Sequence, residues 1–509
     1  MQIRKLKKVG YGLLFVWLLS TLVFLLWLNN EVNQYWGAHT QVVDPSPFQR
    51  GQDAMALVNV NVLSADGEQM LPKQTVLISH GEIKYVGSEQ NIPTGFATID
   101  ATDQYLIPGL IDSHVHLWQS PNDLLLYLAN GVTHVREMNG SEEHLQWREE
   151  IQAGRPGPDL FVASRRHNSS GMLAGWFNRW TAKINNVTDA QSVAQDMQAL
   201  KDSGFDAIKI YTKLSAEHFS AFNLAADHVG LPILGHIPQT IELSEIWGSQ
   251  LKELAHVEEL VKALDREFGG YDRHSTTEFL AFVKQRSEAI AKQLTNHDMA
   301  VVSTFDLMQS LVTQKHAIDQ ALQDSELQYV NPGISESTLP SIRVMGWLPE
   351  VNIYRLSHDY PEQRLAGNRL YWQAYAQAHA ILLEAMAEQG VKVLAGTDAN
   401  VPVMVPGFSM HDELVALNGA GFTASQALYA ATRAPADWMQ IKTGRIEVGY
   451  QADLLLLDEN PLLDINNTRE ISAVINNGRW YDREAMDAML AAVAKANDHS
   501  RHEHIDHYH

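Results

Sequence analysis

Apolar and polar positions divide the chain into stretches with different periods. Residues 9–28, VGYGLLFVWLLSTLVFLLWL, contain no charge, and a helix of about twenty residues spans the ~30 Å of a bilayer's hydrocarbon core. Arg4, Lys5, Lys7 and Lys8 precede the run. This order predicts a cytoplasmic basic flank and transmembrane anchor over 1–30, with everything after Leu28 outside the cytoplasm, on the periplasmic face in a bacterium. A cleaved signal peptide shares the pattern. The length of the run and the lack of an A-x-A site in WLNNEVNQYWGA favour the anchor. Residues 31–52 read as a polar linker.

Over 53–108 the runs ALVNVNVL, QTVLIS and EIKYVG alternate with the turn signals ADGE and SHGE, a pattern of short strands. Similar runs, VGYQADLLLLD and ISAVINNGRWY, recur over 436–483. The two stretches predict one small β-sandwich domain built from both ends of the catalytic region. Between them, over 109–435, strand-like runs alternate with helix-length segments: GLIDSHVH, GVTHVREMN, DLFVASR, FDAIKIY, LPILGH, LKELAHV, MAVVSTF and VKVLAGTDA. Such alternation predicts an α/β fold with a parallel sheet, and eight units predict a (β/α)8 TIM barrel. The stretch 306–369, with PGISESTLP inside it, is too long for an ordinary connection and reads as a lid. Residues 484–509 read as a helix and a His-rich tail.

Composition narrows the chemistry. The 509 residues include no cysteine, so a metal can be held only by His, Asp, Glu or a modified Lys. A formal charge of −22 opposes a nucleic-acid partner, which needs a basic face. The tail histidines His499, His502, His504, His507 and His509 fit a disordered polar end, with metal scavenging as the alternative.

His114 and His116 lie one residue apart, on one face of a strand, with Asp112 on the same face. Imidazoles placed so can share one ion. Lys209, His236, His256 and Asp398 end other strands, where barrel enzymes carry their chemistry. In PGLIDSHVH and in the order of the later Lys, His, His and Asp, the chain resembles the amidohydrolase superfamily over roughly 54–481. The resemblance implies a metal held by His114, His116 and Asp398, a second held by His236 and His256, and a carboxylated Lys209 between them. Two divalent ions, with zinc favoured, are the implied cofactors. A bridging hydroxide attacks the amide, and Asp398 carries its proton to the leaving nitrogen.

Tyr211, two residues beyond Lys209, is a catalytic candidate for hydrogen-bonding the oxyanion. Arg136, Arg165 and Arg166 are candidates for holding a substrate carboxylate. The expectation is therefore a membrane-anchored amide hydrolase for small molecules, dipeptides or N-acyl amino acids, of unknown oligomeric state. A deaminase or cyclic-amide hydrolase of the same superfamily is the alternative enzyme. Gln239 stands where deaminases carry a glutamate. From another class, a non-catalytic barrel scaffold is opposed by ligand-type residues at all six positions.

Overall fold

The protein is described from a computed structural model covering residues 2–89, 91–336 and 346–508. The side chains of Arg4, Lys5, Lys7 and Lys8, the end of PGISESTLP and His509 lie outside the described set. The N-terminal helix runs from Gln2 to Tyr35 and includes a span, Tyr11–Tyr35, of mean hydropathy 2.2 that is long and apolar enough to cross a membrane. Its end enters the protein: Val32, Tyr35 and Trp36 are buried in the main core. The expected linker over 31–52 is thus corrected at its start, because these three apolar side chains bury against Trp118 and its neighbours instead of meeting water.

Strands from both ends of the chain form one mixed sheet. β1 (Met55–Leu63), β2 (Met70–Ser79), β3 (Glu82–Gly87), β4 (Ala97–Asp100) and β5 (Tyr105–Pro108) come from the first stretch. β4 and β5 succeed each other along the same edge of β1, which bulges between them at Asn59, where φ is +61°. The late strands β16 (Leu454–Leu457), β17 (Ile471–Asn476) and β18 (Arg479–Asp482) join β5, so the expected sandwich is one continuous hydrogen-bonded sheet of eight strands in the order β18-β17-β16-β5-β1-β2-β3, with β4 branching from β1.

Between these halves lie β6 (Leu110–Val115), β7 (Val132–Glu137), β8 (Asp159–Val162), β9 (His167–Ser169), β10 (Asn185–Val187), β11 (Ile208–Ile210), β12 (Ile233–Gly235), β13 (Leu251–Leu254), β14 (Ala300–Val302) and β15 (Val393–Leu394). β16, β17 and β18 complete the small sheet. β6-β7-β8 are parallel, as are β11-β12-β13-β14-β15, and helices connect them. Backbone bonds also cross the two gaps in this series: Asp206 N donates to Val162 O (2.9 Å) and Ser113 N to Ala395 O (2.9 Å).

His134, Asp159, Asp453 and Asn477 clasp the small sheet to this α/β part. His134 Nε2 lies 3.4 Å from Asp159, and Asn477 donates to both aspartates. These acids also accept from Gln451 and Thr443, so the group is satisfied by protein donors and reads as structural. The C-terminal helix, Arg483–Ser500, leads into a tail that packs back on the protein through buried Ile505 and Tyr508. The expected disordered tail is corrected accordingly. Arg501 donates to Leu327 O (2.8 Å) and fixes it to the 306–369 segment.

Candidate metal centre

The first and last strands of the α/β series hold the centre together. Asp112 accepts hydrogen bonds from His114 N (3.2 Å), Thr397 N (3.0 Å) and Thr397 Oγ1 (2.6 Å). Asp398 N then donates to His114 O (2.8 Å). Gly396 allows this approach, because a Cβ there would lie 2.9 Å from His114 N. Asp398, with φ at +58°, turns its carboxylate onto the two histidines. Its Oδ1 lies 3.4 Å from His114 Nε2 and 3.0 Å from His116 Nε2, and the three side chains form a metal-sized group.

The remaining expected donors converge on the same place. The ring of His256 lies 4.4 Å from that of His114 and 5.2 Å from that of His236. Lys209 is fully buried, and its Nζ has no hydrogen-bond partner among the described residues. A buried ammonium is costly without compensation, and burial accordingly lowers the Lys209 amine to about 7. Burial, with Lys209 and the neighbouring imidazoles, holds His114 far below its ordinary range. Burial opposes ionisation of Asp398 too, but His116, His256 and Lys209 outweigh it and keep the carboxylate charged. His236 and His256 are lowered by burial as well, whereas Asp398 and Glu137 raise His116; imidazoles and an ionised carboxylate are side chains that divalent ions bind in their deprotonated forms. The residues present fit the implied metals.

Three further residues orient these donors and were not picked out in the sequence. Glu137 accepts from Leu117 N and Asn139 N, with Oε1 3.9 Å from His116 Nδ1. Glu259 pairs with His236 Nδ1 at 2.9 Å, and Thr304 Oγ1 lies 3.0 Å from His256 Nδ1. Partners of this kind fix which ring nitrogen is free to bind a metal. Their available signal was position: Glu137 ends a strand, and Glu259 lies three residues after His256 at the start of the next helix.

The substrate-side candidates separate. Tyr211 sits at the centre, its ring 4.4 Å from that of His236. Arg166 lies over the Tyr211 ring at 4.9 Å and donates to Ala182 O (3.1 Å). Arg165 is half-buried beside Arg179 and Lys183, and burial lowers it. Arg136 is corrected. It is fully buried, 2.7 Å from Glu253, and packed between Phe161 and Trp438. Its charge is consumed inside the strands and does not reach the strand ends. The 306–369 segment does approach the centre: Trp347 donates to Asn400 O (3.2 Å), and burial with the charge of Asp398 raises the Tyr354 phenol.

A parallel α/β scaffold whose strand ends bring together four histidines, an aspartate and a buried lysine has the side chains of a metal-dependent hydrolase acting on C–N bonds, the class that the comparisons support. Residues 346–481 match the amidohydrolase family. The chain is 22% identical over 421 residues to an ochratoxinase of Aspergillus niger, covering 81% of this chain and 83% of that protein. A shorter match, to an adenine deaminase of a Bradyrhizobium species, is 33% identical over 84 residues and spans 14% of that protein. Among solved structures, a bottromycin amidohydrolase superposes with a TM-score of 0.64 at 22% identity, covering 89% of this chain and 92% of that one. A Xaa-Pro dipeptidase with bound methionine gives 0.59 at 18%, covering 84% and 100%. Over residues 346–481 the chain carries an amidohydrolase-family region, and its fold is similar to that of these solved hydrolases.

Proposed function

We propose that the protein is a membrane-anchored binuclear metallohydrolase that cleaves the amide bond of dipeptides or N-acyl amino acids. The observation that carries the substrate class is Arg166 over Tyr211, beside the ring of His236. A guanidinium there suits a carboxylate one residue from the scissile bond. Similarity to a Xaa-Pro dipeptidase and to an ochratoxinase supports it. The backbone bonds across both gaps support reading the eight strands as a closed (β/α)8 barrel with its site at their C-terminal ends.

His114, His116 and Asp398 would hold one divalent ion, with zinc favoured, and His236 and His256 the other. Lys209, as a carbamate, would lie between them. Bound there, the ions lower the pKa of water and polarise the scissile carbonyl. The neutral Lys209 amine adds to carbon dioxide and loses one proton, giving an anionic carbamate with two oxygens. Asp398, ionised at rest, takes a proton from the attacking water at its carboxylate and passes it to the leaving nitrogen. The Tyr211 hydroxyl donates to the carbonyl oxygen as charge grows there. Arg166 orients the substrate through its carboxylate.

Two results are expected. The dialysed full chain holds about two equivalents of divalent ion, and a His236→Ala, His256→Ala double variant about one. Equal metal content in the two forms would remove the second ion. Wild type cleaves a dipeptide faster than its C-terminal amide, and Arg166→Ala loses about 1.5–3 kcal/mol of that preference, roughly ten- to a hundredfold in kcat/KM. Arg165→Ala leaves it unchanged. Equal cleavage of acid and amide by the wild type would exclude a carboxylate anchor.

Retention of the N-terminal helix as an anchor is supported by its buried end. Cleavage near residue 30 would strip Val32, Tyr35 and Trp36 of their connection to a membrane while leaving them in the core.

A further inference from the structure

The helix Met172–Thr181 exposes Met172, Leu173, Trp176 and Phe177 at 81%, 84%, 62% and 40%. Spaced at i, i+1, i+4 and i+5, they form one apolar face, and a soluble surface rarely carries such a contiguous patch unoccupied. The opposite side is fixed to the protein, where a Cβ on buried Gly175 would lie 2.1 Å from the Asn186 amide.

The place of this helix identifies what covers it. Trp180 Nε1 donates to Asn29 Oδ1 (2.9 Å), and Trp36 Nε1 donates to Thr181 O (3.0 Å). Asn29 is the first residue after the charge-free run 9–28, so Trp180 stands at the edge of the hydrocarbon that the run would cross. Trp side chains favour that level. The exposed face is therefore continuous with the apolar surface of the N-terminal helix. Arg165, Arg179 and Lys183 cluster beside it, where they complement lipid phosphates.

We propose that Met172–Thr181 docks into the interface of the bilayer that the N-terminal helix crosses, holding the mouth of the metal centre at the lipid headgroups. This rests on the reading of that helix as a retained anchor. Two short paths connect the docked helix to the centre: Arg166 donates to Ala182 O beside the helix end, and Trp36 packs on Trp118, whose ring stacks on His116 at 6.0 Å.

The chain lacks cysteine, so Leu173→Cys and Met172→Cys each give one site for a nitroxide in the full-length protein. Leu224→Cys, on a helix far along the sequence and 71% exposed, is the water-facing control. In phosphatidylcholine–phosphatidylglycerol vesicles, residues 172 and 173 should show an oxygen-to-nickel collision ratio several-fold above that at 224. A ratio equal to that at 224, with the chain still resisting alkaline carbonate extraction, overturns the docking and leaves the anchor standing. Shielding from both reagents overturns it in favour of a second copy covering the patch. Release by carbonate overturns the anchor reading itself.

Discussion

Lys209→Ala is expected to lose at least about a hundredfold in activity and to recover part of it when acetate or propionate is added. The lysine is fully buried with its amine unpartnered, while the surrounding imidazoles and Asp398 are arranged to receive cations. Alanine there leaves a space lined by donors and the Glu253–Arg136 pair, and a small carboxylate can supply the two oxygens of the missing carbamate. Rescue should depend on acid size, failing once the acid outgrows the lost side chain. The check is a titration of acid against initial rate, with metal content measured alongside. Full activity in the variant would remove the carbamate from the proposed chemistry.

The convergence of His114, His116, Lys209, His236, His256 and Asp398 was legible because each is a polar residue ending an apolar run, and a parallel sheet brings such ends together. The partners that orient them were not. Glu137 and Glu259 differ from any strand-end or helix-start acid only through the histidine each one faces, and that pairing exists only after folding. Arg136 was misplaced for a related reason: period two puts it on one face of β7, but sequence cannot say whether that face carries a charge to the mouth or pairs it with Glu253 across the interior. The first turns of the supposed linker were lost among Asn, Glu and Gln, although Val32, Tyr35 and Trp36 follow a helical spacing that continues from the apolar run.

Glu253→Leu should destabilise the protein by about 3–5 kcal/mol, because it leaves the Arg136 charge buried and unpaired. Both side chains are fully buried, with one 2.7 Å contact between them. Burial raises the Glu253 carboxyl even beside Arg136, so the pair is held at a desolvation cost. Arg136→Met is expected to fall less, since Glu253 can take up a proton while an arginine cannot release one. The double variant should regain most of the loss, because neither charge remains. Thermal midpoints of the three variants give the comparison. A single variant at Arg136 that melts as the wild type but loses preference for acidic substrates would return this arginine to the substrate.

Asp112 and Thr397, whose hydrogen bonds set Asp398 against the two histidines, are 285 residues apart. At roughly 5–20 residues per second, a ribosome takes about 15–60 s to make the intervening chain. Until then the proposed first-ion site lacks its carboxylate, and imidazoles alone would bind first-row metals in the order of intrinsic affinity, copper ahead of zinc. In the proposed site, selection of the ion would therefore fall to the last strand. When the 390s segment closes onto β6, the carboxylate arrives and the geometry is imposed, so an ion captured early and unsuited to it must be exchanged at that moment. For the proposed centre, the late arrival of Asp398 would make metal choice a matter of folding order and of which ions are available where the chain folds.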